Sequence, residues 1–217
     1  MTPKEKKYFD AMTEMQKNDF KTFQRVRNRS IWKDMVGRYS DNAHFVYELL
    51  QNADDAGATC AEFFLYKDEL IFKHNGIKKF SISDPYNEEE DTKNGTLGDI
   101  NSITSNGNSS KRVVSEKEED KQSNKIGKFG MGFKAIFRYT IEPKIFDANF
   151  SFRIENIIIP VPLDYDYPGR KKDETIFEIP FGIPEDNYLE IFPCTMEKAY
   201  KEISEKLPVL DYPLLFL

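Results

Sequence analysis

The chain has 217 residues, of which 39% are hydrophobic and 31% charged, with a formal net charge of −6. That length buries a full core, and 18 Phe with 11 Tyr supply more aromatic surface than a disordered chain carries. The acidic balance argues against a nucleic-acid backbone as partner. Cys60 and Cys194 are too few for a disulfide framework and fit a reducing cytoplasm. No apolar run reaches the ~18 residues of a membrane span, and MTPKEKKYFD lacks the apolar region of a secretory signal.

Residues 1–40 hold ten Lys/Arg against five Asp/Glu, which leaves the remainder at −11. Residues 5–27 contain no Pro or Gly. Tyr8, Met12, Met15, Phe20, Phe23 and Val26 recur there at loosely helical spacing, which predicts one or two helices. Residues 1–38 read as a basic helical segment with a solvated face, and residues 39–217 as the main domain. Ser40-Asp41-Asn42 is an N-cap cluster for a helix that runs through HFVYELLQNADDA and ends at Gly57.

CAEFFLYKDELIFKH, residues 60–74, predicts two strands around a tight turn near Lys67-Asp68. Residues 83–125 are mostly polar, too long for an ordinary connection, and read as a lid or binding loop. Leu97, Ile100 and Ile103 can form one short helical face within it. The run IGKFGMGFK then turns into a helix near Gly132. After Pro143 come strands at KIF, FSFRIE, IIIPV and TIFEIPF, with an insertion at 164–169. A last helix is expected at 196–206. The apolar ending YPLLFL predicts continuation into a longer protein.

Two segments carry candidate chemistry. Glu48, Asn52 and Asp55 stand at i, i+4 and i+7 and so share one helix face, beside the apolar stripe Phe45, Leu49 and Ala53. Polar groups on a buried helix need partners, because each unsatisfied group costs about 1–3 kcal/mol. A ligand or a set of local caps and ion pairs can supply them. In GKFGMGFK, Gly127, Gly130 and Gly132 free the backbone for close approach. Successive amides leading into a helix suit an anion, whereas the alternative is a packing hinge. The order G-x-x-G-x-G is neither the dinucleotide fingerprint nor a Walker A loop.

ELLQNADDA, HNG and GKFGMGFK, in this order and joined by a long polar segment, resemble the GHKL superfamily of gyrase, heat-shock chaperone, histidine kinase and MutL. The nearest likeness is to its sacsin-like branch. The resemblance implies a Bergerat-type α/β fold: a two-layer sandwich with a mixed β-sheet, helices on one face and a long nucleotide lid. It implies an ATPase that binds ATP and Mg, hydrolyses ATP slowly and drives a conformational or dimerisation switch. ATP/ADP, a second copy of the chain in an ATP-dependent homodimer and further domains of the full-length protein are the implied partners. Two other readings stay open: a nonhydrolysing nucleotide sensor, and a histidine-kinase-like phosphotransfer domain.

By the same resemblance Glu48 activates water and Asn52 holds Mg. Asp55 lines the nucleotide, as do His74, Asn75 and Gly76 of HNG. Gly127, Lys128, Phe129, Gly130, Met131, Gly132 and Phe133 wrap the phosphates, and Thr175 lies near the adenine. Lys134 reads equally as a phosphate partner or a solvated side chain. HNG departs from the family's D-x-G, where the Asp accepts a hydrogen bond from the adenine amino group. A neutral His74 can accept through one ring nitrogen and can also donate, or it can simply cap its strand. ATP is the expected nucleotide, with weaker discrimination than Asp gives. Lys78 stands where relatives have a second glycine.

Overall fold

The computed structural model describes residues 1–23, 45–105, 133–182 and 194–209. Helix α1 (Pro3–Phe23) buries Phe9, Met12, Thr13 and Gln16, an i, i+3, i+4, i+7 stripe. It is part of the main core: Phe9 meets Phe150 and Phe152, and the Thr13 hydroxyl donates to the Pro160 carbonyl at 2.7 Å. Val26 and the Ser40-Asp41-Asn42 cap lie outside the described residues. Helix α2 (Phe45–Asp55) buries Phe45, Val46, Leu49, Asn52 and Ala53. It stops as expected at Gly57, whose φ is +70°. Ala58 N–H donates to Ala53 O and Gly57 N–H to Asp54 O, the two bonds of a Schellman cap.

Strands β1 (Ala61–Leu65) and β2 (Glu69–His74) form the expected hairpin. Helices α3 (Glu88–Asn94) and α4 (Asp99–Thr104) follow. Ile100 and Ile103 are fully buried, so the first part of the segment read as a lid is anchored in the core. Its remainder, residues 106–125, lies outside the described residues. A 3-10 helix (Phe133–Arg138) occupies the place of the helix expected after the glycine run. Then come β3 (Lys144–Phe146), β4 (Ser151–Glu155), β5 (Ile159–Pro162), β6 (Thr175–Pro180) and α5 (Met196–Lys206).

The six strands lie in the order β1-β2-β6-β3-β4-β5. The sequence reading expected a mixed sheet. Instead, every pairing among the described residues is antiparallel. Connection length is the reason for three of these five pairings: β1–β2, β3–β4 and β4–β5 are joined by short turns, and a parallel pair needs a long crossover. One sheet face carries Leu70, Phe72, Ile145, Phe152, Phe177 and Ile179, and packs with Phe9, Val46, Leu49, Ile100 and Ile203 of the helices. The other carries Ile71, Phe146 and Ile176 under Leu163 and Tyr167. The helices contribute only to the first cluster, so this is a two-layer α/β arrangement around one open antiparallel sheet.

Candidate functional site

β2 ends at His74 and β6 begins at Thr175, and these two residues face each other in register. Alternation puts both on the helix-packed face, with Phe72 and Phe177. The Phe72 and Phe177 rings lie 5.8 Å and 6.2 Å from the His74 ring, centre to centre. His74 is buried, and its Nδ1 accepts the Gly76 N–H at 3.0 Å. Burial first, and the neighbouring Lys79 ammonium second, push its pKa down to about 4. The ring is therefore neutral at pH 7, and with Nδ1 accepting, its hydrogen sits on Nε2. Nε2 has no hydrogen-bond partner among the described residues. Thr175 is 1% exposed, and its Oγ1 is buried without a partner among the described residues.

The HNG turn is clamped against the end of α2. A Cβ on Gly76 would stand 2.6 Å from the Ala56 Cβ and 2.9 Å from His74 Nδ1, so only glycine fits. Lys78 N–H donates to the Ala56 carbonyl. The Lys78 side chain, at the position of the relatives' glycine, pairs with Asp99 at 3.0 Å. Lys79 Nζ donates to the carbonyls of Gly76 and Asp173 at 2.8 Å and 2.7 Å, which straps the turn to the segment before β6. Asn75 is committed to this scaffold: its Oδ1 accepts the N–H groups of Thr59 and Cys60, and its Nδ2 donates to Thr59 Oγ1.

On α2 the three expected polar residues share a stripe at graded depth. Glu48 is half-buried, Asn52 is buried and Asp55 is exposed at the helix end. The Asn52 side chain has no hydrogen-bond partner among the described residues. Phe133 is a core residue, packed against Phe137 and Phe177. Lys134 is 2% exposed, and its Nζ donates to the Ser105 carbonyl. Burial lowers its pKa to about 8. Of its two sequence readings, a solvated side chain is thus excluded. Gly127, Lys128, Phe129, Gly130, Met131 and Gly132 lie outside the described residues.

A polar cleft of about 150 Å³ opens beside Cys60, Lys73 and Asp173, but Lys73 there is already paired with Glu62 and Glu174. Sequence reasoning named His74 and Thr175 separately and missed Lys79. ELIFKH and TIFEIP read as strands, but their pairing across about 100 residues is not written in either segment.

The family model of the sacsin domain matches residues 26–154, more than half of the chain. The chain belongs to the sacsin-domain family. The sacsin-domain match takes in α2, the HNG turn and the glycine run, and ends within β4. Thr175 and β6, which complete the buried polar pair, therefore lie beyond it. No curated protein matches the chain. Among the described residues no helix is long and apolar enough to cross a membrane, and no group of three or more His, Cys, Asp or Glu can hold a metal ion by itself.

Proposed function

We propose that this sacsin-domain protein binds ATP as its magnesium complex and hydrolyses it slowly, as a GHKL-type switch for further domains. The observation that carries the reading is the buried Thr175 hydroxyl without a partner, opposite neutral His74. A buried polar group left unpaired costs about 1–3 kcal/mol, and a polar base edge that reaches this pair relieves that cost. Asn52 is a second buried polar residue, on α2, whose end is clamped to the same turn.

The donor set fits a magnesium nucleotide. A hard cation takes oxygen ligands and keeps several waters and phosphate oxygens, so one amide oxygen from Asn52 suffices from the protein side. Bound there, magnesium would neutralise charge on the phosphates. Glu48, one turn before Asn52 and half-buried, is suited to accept the proton of an attacking water. The Glu48 carboxylate favours hydrolysis over the sensor reading, which needs no base.

Calorimetry with ATP and magnesium, with and without chelator, tests binding, and phosphate release tests turnover. Asn52→Ala is expected to weaken magnesium-dependent binding at least ~10-fold. Glu48→Ala should keep binding and lose roughly 100-fold or more in turnover. Normal hydrolysis by Glu48→Ala removes Glu48 as the base, and absence of nucleotide binding by the intact protein removes the whole reading.

A further inference from the structure

The histidine at the base end of this site has a defined hydrogen-bonding polarity. A free neutral imidazole can turn either nitrogen towards a ligand, as acceptor or as donor. His74 lacks that freedom. Its Nδ1 lone pair is occupied by the Gly76 N–H. Gly76 is held there by contact with Ala56, by the Lys78–Ala56 backbone bond and by the Lys79 strap. Turning Nδ1 outward would strand the Gly76 N–H in a buried turn. The atom left for a ligand is Nε2, and it carries the hydrogen. The facing Thr175 Oγ1 can donate or accept.

We propose that His74 reads the nucleotide base as a hydrogen-bond donor, so that its ring meets an acceptor atom of a purine and does not itself receive the 6-amino hydrogen. This rests on the reading above that a purine base lies over His74 and Thr175. An acceptor is available as O6 of a 6-oxopurine or as N1 of adenine. With a 6-oxopurine, Nε2–H meets O6 while Thr175 Oγ1 accepts the N1–H. With adenine, Nε2–H meets N1 while Thr175 Oγ1 accepts an amino hydrogen. Both edges satisfy the two protein groups. An aspartate at position 74 could satisfy neither O6 nor N1, because an ionised carboxylate only accepts.

Two measurements test this. The first needs no variant: nitrogen-15 NMR of the intact protein at pH 7 distinguishes a protonated from an unprotonated ring nitrogen, and the chain has only 2 histidines to assign. The expected result is an unprotonated Nδ1 and a protonated Nε2 at His74. The opposite tautomer overturns the proposal outright. The second compares the magnesium complexes of ATP, inosine triphosphate, 1-deaza-ATP and purine riboside triphosphate on the wild type and on His74→Ala. Deleting N1 from ATP should cost the wild type roughly 5- to 100-fold in affinity, and that loss should vanish in His74→Ala. Purine riboside triphosphate lacks the 6-amino group but keeps N1 as an acceptor, so it should show no loss that depends on His74, and inosine triphosphate should bind His74→Ala more weakly than the wild type. Coupling to the 6-amino group instead, or to neither acceptor, overturns the proposal while leaving nucleotide binding intact. If none of the four nucleotides binds, the function proposed above fails, and the base-reading role of His74 fails with it.

Discussion

Thr175 and His74 show how single side chains can be held in states that do not favour the folded chain. The Thr175 hydroxyl is buried and unpaired. Replacing it by an isosteric methyl in Thr175→Val should raise the unfolding free energy by about 1–2 kcal/mol and weaken nucleotide binding. Denaturant melts and calorimetry on the same variant check both halves. Equal or lower stability would show that the hydroxyl is already satisfied. His74 has the corresponding pH signature. Its folded pKa of about 4 lies below the ordinary histidine value of 6.5, so on acidification the unfolded chain takes up the proton first. Stability should therefore fall as pH drops from about 6.5 towards 4, by up to roughly 3 kcal/mol from this residue. A His74→Asn variant should show a shallower loss over that window in urea titrations at several pH values. Neither state was legible from the residue types. HNG marks a candidate site, but the polarity of the histidine depends on an N–H two residues later. Lys134, beside the glycine run, reads equally as a phosphate partner or a solvated side chain. Its burial depends on the carbonyl of Ser105 on another element.

Among the elements, the strands were the most legible. ELIFKH, FSFRIE and TIFEIPF read as strands, and each holds one. Helix α1 was legible as a helix but not in register. Its buried stripe includes Thr13 and Gln16, whose Oγ1 and Nε2 donate to the distant carbonyls of Pro160 and Thr104, while Gln16 Oε1 has no partner among the described residues. A hydrophobicity pattern cannot anticipate bonds of that kind. The junction of α2 with the HNG turn yields a sharper expectation. A methyl at position 76 has no room against Ala56 and His74, so Gly76→Ala should destabilise the protein by about 1–3 kcal/mol and disturb the His74 tautomer as well. The NMR signal of His74 and a thermal melt measure the two effects. A melt unchanged from the wild type would mean that the turn can move away from α2. The 3-10 helix gives a second test. If the Lys134 amine only joins Phe133–Arg138 to Ser105, Lys134→Met should leave magnesium-nucleotide affinity within about twofold. A tenfold loss would restore a phosphate role.

At the scale of the whole molecule, α/β class, helix order and the three motifs were readable, and the sheet's direction was not. The central position of β6 is set by long-range pairing with β2 and β3, which local pattern does not encode. That position also governs how the protein can be made. β2 ends at His74 and its inner neighbour begins only at Thr175, so a ribosome releases a β1–β2 hairpin and a β3–β4–β5 meander long before the strand that joins them. Until β6 emerges, both pieces present unpaired inner edges, the kind of surface that recruits other chains. Chains interrupted ahead of Thr175 should therefore aggregate or engage chaperones, whereas those extending past Pro180 should become protease-resistant. The same strand that closes the sheet delivers Thr175 to His74, so the newborn chain brings these two residues together at the moment its two halves become one.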